Sequence, residues 1–257
     1  GTEVTYAVTG GNITFDTSTG TITDCDESVT EVVIPNTIEG VFVTGIGYGA
    51  FAYCYNLRSV KIPASVATIG DNAFSSCTNL ESIEIPTNVT SIGYDAFFSC
   101  GSLKSVEIPA SVTTIKGGAF SNCYSLNSVE IPASVTSIED YVFSSCGSLK
   151  NVKIPISVTT IGDNAFSYCT NLESIEIPTS VTSMGNSTFA DCYSLSSIEI
   201  SANVTSIGDN AFSSCNSLES INIDKNNRVY SSINGVFFNK DQTILICYPM
   251  GKAQVTY

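Results

Sequence analysis

A 23-residue repeat constrains the fold of this chain more than any other feature of its sequence. The stretch Gly70–Cys77, GDNAFSSC, returns unchanged at Gly208–Cys215 and with one substitution at Gly162–Cys169. A phenylalanine precedes each repeat cysteine by three residues, and a leucine follows it by three. Eight of the ten cysteines keep this period: Cys54, Cys77, Cys100, Cys123, Cys146, Cys169, Cys192 and Cys215. Such regularity predicts a solenoid, in which each coil is stabilised by stacking on its neighbours.

One unit reads L-x-S-V-x-I-P-x-x-V-x-x-I-G-x-x-A-F-x-x-C-x-x and opens with a short strand. Val60 and Ile62 alternate with Ser59 and Lys61, which predicts a strand with one buried face. Pro63 has no backbone N–H, so we expect it to end this strand rather than lie within it.

The rest of the unit predicts a return path made of a second short strand and a turn. The second strand is expected near Thr68–Ile69. Asp71–Phe74 is too short for an α-helix, which favours a single turn or a 3₁₀ piece. Gly70 suggests a corner with positive φ. Lys116 and Glu139 occupy the same column, however, and indicate that positive φ is not obligatory there.

The repeated cysteine invites a catalytic interpretation that the composition does not support. The chain contains no histidine, which removes histidine-activated nucleophiles and histidine metal ligands. A nucleophilic Cys77 would also imply eight equivalent active sites. No unit contains the C-x₂₋₄-C spacing of a zinc site, although a metal–thiolate ladder across coils stays open.

Disulfides between coils are a further alternative for the cysteines. Stacked strands place equivalent residues about 4.8 Å apart, within the Cα range of a disulfide. In a parallel stack the Cβ atoms stay near that distance too, whereas a bridge prefers about 3.8 Å. We therefore expect an unbridged ladder in which cysteine acts as a small buried hydrophobe. Cys25 and Cys247 are predicted to lie off the ladder, and their pairing is left open.

The period fails at both ends of the array, where a solenoid needs caps. Val4–Asp24 predicts a hairpin or meander, and Val29–Phe51 is a first repeat stretched by a loop around Glu39-Gly40. Asn226–Pro249 predicts a hairpin that covers the last coil, and the tail Ala253–Tyr257 could begin another strand. The predicted organisation is an N-terminal cap at 1–28, repeats at 29–223 and a C-terminal cap at 224–257.

The charge balance excludes two classes of partner. Ten Lys and Arg against 24 Asp and Glu give a net charge of −14. This argues against nucleic acid and against electrostatic binding to anionic membranes.

No apolar run approaches the roughly 18 residues of a membrane span, so we expect no direct membrane insertion. Gly1–Ala7 lacks a basic-then-apolar signal pattern, so any signal peptide or anchor is expected outside this stretch.

The phrase IPxSVTxIGxxAFxxCxxLxSVxI resembles the BspA-like, or treponemal-type, leucine-rich repeat over Val29–Ile223. Tyr230–Pro249 resembles an element that interrupts or closes such arrays. Ser201 in place of proline and Met184 in place of isoleucine are mild departures. The resemblance implies a curved, right-handed, β-rich solenoid with short parallel strands on its concave face and turns or 3₁₀ pieces elsewhere. It also implies a secreted or cell-surface protein that functions in adhesion or ligand binding, with no catalytic, metal or cofactor residues.

Two sets of residues are candidate binding surfaces. The first, the concave strip, is acidic at Glu84–Glu130 and Glu176–Glu199, is interrupted by Lys150 and Lys153, and could take a basic patch of a protein or a divalent cation. Its residues are Arg58, Lys61, Glu84, Glu107, Glu130, Lys153, Glu176 and Glu199. The second, the tyrosine column, consists of Tyr55, Tyr124 and Tyr193. A solvated strand face and tyrosines that only cover coil edges would explain the same patterns. The spacing of a dedicated calcium loop does not occur.

Three classes of function follow from these patterns. We expect a non-enzymatic binding module that recognises a protein or glycan on a host or neighbouring cell, without a cofactor. The alternatives are a structural spacer that presents another domain and a carbohydrate-binding surface. An enzyme would have to rely on a pair of carboxylates in one deep pocket, whereas these acidic residues are spread along a regular strip.

Overall fold

The computed structural model describes residues 2–253, which form short strands joined by turns, with no helix among them. The strands are β1 (Glu3–Val8), β2 (Gly11–Asp16), β3 (Thr21–Cys25), β4 (Glu31–Val33), β5 (Thr37–Ile38), β6 (Val41–Phe42), β7 (Gly45–Ile46), β8 (Ser59–Lys61), β9 (Thr68–Ile69), β10 (Ser82–Glu84), β11 (Ser91–Ile92), β12 (Ser105–Glu107), β13 (Thr114–Ile115), β14 (Ser128–Glu130), β15 (Ser137–Ile138), β16 (Asn151–Lys153), β17 (Thr160–Ile161), β18 (Ser183–Met184), β19 (Ser197–Ile200), β20 (Ser206–Ile207), β21 (Ser220–Ile223), β22 (Tyr230–Ile233), β23 (Val236–Asn239) and β24 (Leu245–Cys247).

Two sets of parallel strands run along the array, one from each strand of the repeat, and each set is divided into two separate sheets. The opening strands pair in the order β16-β14-β12-β10-β8-β4, and the return strands include the run β7-β9-β11-β13. Pairing is in register at one repeat per step, so that Ile83 lies beside Val106 and Glu84 beside Glu107. This architecture confirms the predicted leucine-rich repeat solenoid of short strands and turns.

Stacked phenylalanines form the centre of the core. The rings of consecutive coils lie 5.0 to 6.1 Å apart, with interplanar angles of at most 17°. All are buried: Phe51, Phe74, Phe97, Phe120, Phe143, Phe166, Phe189 and Phe212. Stacking of this kind adds to the free energy gained from burying apolar area alone.

The cysteine ladder runs beside the phenylalanine stack, and all ten cysteines are free thiols. From Cys77 to Cys215, each thiol donates a hydrogen bond to the phenylalanine carbonyl of the preceding coil, at 3.0 to 3.2 Å. Burial raises the pKa of Cys100 and of Cys146 to about 12. Cysteine is therefore a hydrogen-bond donor between coils as well as a small apolar side chain.

The expectation that Cys25 lies off the ladder is wrong. The Cys54 thiol lies 3.9 Å from the Cys25 carbonyl, so the ladder continues into β3. Interaction with the Cys54 thiol, followed by burial, raises the pKa of Cys25. β3 pairs with β7 in parallel, as a preceding coil would. Cys25 follows the paired Ile22 by three residues, whereas Cys54 follows Ile46 by eight, so Cys25 meets the end of the ladder without sharing its period.

Positive φ occurs later in the turn than the glycine suggested. Asn72 has a φ of 56° and Ser76 a φ of 61°, and the equivalent positions of the other coils behave alike, whereas Gly70 does not adopt positive φ. Glycine is favoured there for a different reason, since a Cβ at Gly70 would lie 3.0 Å from the backbone of Ile46 in the coil before. Lys116 and Glu139 show that the array accommodates a side chain at this position in two coils.

Each end of the array is covered by antiparallel strands. β1, β2 and β3 form a meander that extends the return sheet, and β22, β23 and β24 form a separate three-stranded sheet. The side chain of Asn227 is fully buried and donates hydrogen bonds to the carbonyls of Ser201 and Val204, at 2.9 and 2.8 Å. It thereby fixes the C-terminal cap to the last coil. The part of the predicted tail strand at 254–257 lies outside the described residues.

The unbridged cysteine ladder predicts how many thiols react in the folded and in the unfolded protein. Under non-reducing conditions, ten thiols should react with a chromogenic disulfide after unfolding in denaturant. In the folded protein only Cys247, which is half-buried on β24, should react quickly, because burial protects the others. A count below eight in the unfolded protein would contradict the unbridged ladder.

The same ladder predicts how stability depends on pH. Below pH 9 both states keep the thiol protons, and stability does not depend on these groups. Above pH 9 the unfolded chain loses protons that the folded chain retains up to about pH 12 at Cys146, so the free energy of unfolding falls as pH rises. Urea titrations at pH 8 and pH 10 measure this fall. Cys146→Ala should reduce the fall between these two pH values by about 1.4 kcal/mol, and an unchanged fall would contradict the prediction.

Candidate binding surfaces

The residues predicted for the concave strip are all exposed. Six of them lie on opening strands and point away from the core, whereas Arg58 precedes β8 and Glu176 lies where no strand forms. In-register pairing aligns Lys61 with Glu84, and Glu84 with Glu107. Further along, Glu130 lies beside Lys153, which forms an isolated bridge with Glu176. The strip is thus a single line of charges ordered by the repeat.

The acidic part of the strip borders a shallow groove of about 460 Å³ lined by β10, β12 and β14. Glu84 and Glu107 occupy directly paired positions, and like charges so placed repel one another. Within residues 2–253, no group of three or more acidic or cysteine side chains is arranged to hold a metal ion. The groove can instead receive a cationic or hydrogen-bond-donating side chain of a partner.

The strip is interrupted one coil after β16. Residues 174–176 form no strand, and their backbone pairs with the sheet only through the isolated bridge between Lys153 and Glu176. The opening strands resume as the separate pair β19 and β21. A groove of about 620 Å³ lies between residues 151–156 and residues 174–179.

Sequence reasoning missed the most exposed apolar side chain of the array, which lies at this interruption. Ile156 is 81% exposed and stands in a column otherwise filled by alanine or threonine. Pro178 beside it in the groove is buried, whereas the equivalent prolines of other coils are half-exposed. The departure of Ile156 from its column was the available signal.

The tyrosine column belongs to a larger set of exposed tyrosines on the turns. Tyr55, Tyr124 and Tyr193 are 40 to 55% exposed, three coils apart, or about 14 Å from one to the next. The structure therefore does not bring these three rings together. The exposed tyrosines of the turns are Tyr48, Tyr53, Tyr55, Tyr94, Tyr124, Tyr141, Tyr168 and Tyr193.

This geometry defines the class of the protein as a leucine-rich repeat solenoid. The chain matches the family model of the BspA type leucine rich repeat region in six copies, over residues 17–149 and 136–246. It therefore belongs to the BspA-type leucine-rich repeat family. A comparison with curated proteins found no match.

Solved structures with the same fold come from several bacteria. A leucine rich cell surface protein from Faecalibacterium prausnitzii is 33% identical, with a TM-score of 0.65 over 96% of this chain, which spans 62% of that protein's length. A leucine rich repeat protein from T. pallidum is 29% identical, with a TM-score of 0.58 over 77% of this chain and 82% of its own. A leucine-rich repeat protein from Bacteroides ovatus is 28% identical, with a TM-score of 0.55 over 87% of this chain and 70% of its own.

These likenesses support a repeat-based binding or scaffold module, in a family whose members include a cell-surface protein. Repeat proteins of this kind are generally not enzymes. Across residues 2–253 the structure contains no helix that could cross a membrane.

The charge ladder of the strip yields a stability prediction. Glu107→Gln removes a carboxylate paired with Glu84 and should raise the free energy of unfolding by about 0.2–1 kcal/mol, an effect that shrinks with added salt. The matched control Glu176→Gln removes a charge beside Lys153 and should not stabilise. Urea denaturation at low and high salt measures both. Equal effects of the two variants would show that in-register charges do not interact.

Proposed function

We propose that this chain is a non-enzymatic binding module that recognises a partner protein through the concave strip and the adjacent Ile156. The observation that carries the proposal is the 81% exposed Ile156 at the one interruption of the opening-strand sheet within residues 2–253. Duplicated coils produce a uniform surface unless individual positions are changed. An exposed apolar side chain surrounded by charges is the arrangement of a protein-interaction site.

The chemistry of the strip indicates what the partner presents. Ile156 and the groove beside it take an apolar side chain, whose burial on binding contributes favourable free energy. The acidic run from Glu84 to Glu130 takes lysine or arginine side chains, which also favours association of a basic partner with a chain of net charge −14. The partner is therefore a protein segment with an apolar anchor and basic residues about 5–15 Å away, one to three coils along the strip.

A location on the cell surface or in the secreted fraction, and a role in adhesion to a host or neighbouring cell, belong to the same proposal. They rest on the similarity to the F. prausnitzii cell surface protein. A carbohydrate-binding surface is the second candidate, favoured by the exposed tyrosines of the turns. A structural spacer would not need an exposed Ile156, because alanine in that column suffices elsewhere.

A matched pair of variants tests the proposal in pull-downs from host extracellular proteins and in adhesion assays with coated beads. Ile156→Asp should weaken capture of the partner about tenfold or more, as expected at the centre of an interface. Ala133→Asp, exposed one coil earlier in the same column, should have little effect. Combined Glu84→Lys, Glu107→Lys and Glu130→Lys should slow association and remove its salt dependence.

Absence of any captured protein, or equal effects of Ile156→Asp and Ala133→Asp, would contradict the protein-binding proposal. Signals on a glycan array that are lost with Tyr124→Ala and kept with Ile156→Asp would assign the function to carbohydrate binding instead.

A further inference from the structure

The turns of consecutive coils are joined by a repeated set of three hydrogen bonds. In each of the seven interfaces between Cys54 and Cys215, three turn N–H groups, two residues apart, donate to carbonyls of the next coil at 2.6 to 3.0 Å. The N–H groups of Asn164, Phe166 and Tyr168, for example, donate to the next turn in this way. The donors always lie on the side of the turn that faces the next coil.

The last coil presents the same donors without acceptors. The corresponding N–H groups belong to Asn210, Phe212 and Ser214, and none donates a hydrogen bond within residues 2–253. A fourth group repeats as well, since the Asp163 carboxylate accepts the N–H of Asn186 at 2.7 Å. Within the same part of the chain, the exposed carboxylate at the last such position receives no N–H; it is that of Asp209.

The C-terminal cap replaces the next coil everywhere except over this turn. The N–H of Ile221 donates to the carbonyl of Gly235, and the N–H of Ile207 donates to the Tyr230 hydroxyl at 2.8 Å. The Phe237 ring meets Phe212 edge-on at 6.4 Å and covers the end of the aromatic stack. The strands and the core are therefore covered, while the edge of the turn is left open.

An open groove of about 730 Å³ marks the uncovered part. Its floor is the turn Ile207–Ser214, and its wall includes Ile246 and Met250, which are 43% and 62% exposed. Ser213 is exposed on this floor, whereas its equivalent Ser167 in an interior coil is 2% exposed beneath the next turn. The groove thus has room for one further turn, between the last turn of the array and the C-terminal cap.

We propose that this groove, the open turn, binds a polypeptide segment of a partner chain in the conformation of a coil turn. The segment supplies three carbonyls, two residues apart, to the N–H groups of Asn210, Phe212 and Ser214, and one N–H to the Asp209 carboxylate. The interior coils of this protein show that such a segment satisfies all four groups at once. Main-chain pairing at an unpaired edge is a common mode of peptide recognition.

The side chains of the bound segment are constrained as well. Ala211 is buried on the floor, and its column holds only alanine, valine or threonine in the other coils, so the segment carries a side chain of this size above it. Phe237 already occupies the place where the next phenylalanine of the stack would lie, so the segment carries a small residue there too. The open turn is separate from the concave strip, and its occupation does not depend on the proposed function.

The probe is a blocked peptide with the sequence of Gly162–Tyr168 carrying Phe166→Ala, titrated into the full chain labelled with ¹⁵N. Saturable shifts and slowed hydrogen exchange are expected at the amides of Asn210, Phe212 and Ser214. The peptide built from D-amino acids has the same composition and charge and should leave these amides unchanged, because its turn has the opposite hand.

Two aspartate variants separate binding from stability. Asp209→Ala should weaken peptide binding about tenfold through loss of a charged hydrogen bond, with the melting temperature unchanged. Asp71→Ala removes the equivalent bond to the N–H of Tyr94, at 2.9 Å inside the array, and should lower the melting temperature while leaving peptide binding intact.

Three results would overturn the proposal. The first is that the amides of Asn210, Phe212 and Ser214 already exchange slowly in the free chain, which would mean that the chain itself fills the groove. The second is an equal response to the L- and D-peptides, or equal loss of binding in the two aspartate variants. The third is concentration-dependent protection of the same amides without peptide, which would assign the groove to a second copy of this chain.

Discussion

In-register hydrogen bonding between consecutive coils is the interaction on which the rest of this structure depends. Three turn N–H groups join each coil to the next at every interior interface, and at least one pair of parallel strands joins them as well. Because the register advances by one repeat, every residue lies beside its own equivalent, about 4.8 Å away. A favourable or unfavourable interaction between equivalent residues is therefore repeated along the array.

This repetition has opposite consequences inside and outside the coil. Phenylalanine and cysteine columns gain from it, because their rings stack and their thiols bond to the preceding backbone. A carboxylate column is disfavoured by it, because Glu84 lies directly beside Glu107. The interior can therefore stay uniform through duplication, whereas changes at exposed columns relieve repulsion or create recognition. Lys153 and Ile156 are such changes, and they fall in one coil.

The period, the strands and the buried columns could be predicted from the sequence, because a 23-residue repeat and period-two alternation each have one structural interpretation here. The exposure of the concave strip followed for the same reason. Positive φ at Ser76 could not be predicted, because serine rarely adopts it and the residue is held by a hydrogen bond to the neighbouring turn. Positive φ at Asn72 had a signal that was missed, because its column is rich in asparagine and glycine. The inclusion of Cys25 in the ladder depends on a parallel pairing of β3 with β7 that lies outside the repeat. The sheet interruption beside Ile156 likewise depends on three-dimensional pairing rather than on any local pattern.

A directional interaction leaves two unlike ends. The first coil turns its carbonyl side toward the N-terminus, and the last coil turns its N–H side toward the C-terminal cap. Unpaired N–H groups are the less tolerated of the two, since a carbonyl has two lone pairs and water reaches it easily. In the C-terminal cap, the Tyr230 hydroxyl and the Gly235 carbonyl accept hydrogen bonds from N–H groups of the last coil, and the Asn227 side chain donates to its backbone. These contacts cover only the strands and the return path. No described residue accepts a hydrogen bond from the N–H groups of the last turn. The interior coils show which acceptors would satisfy them, namely three carbonyls that lie two residues apart in a neighbouring turn.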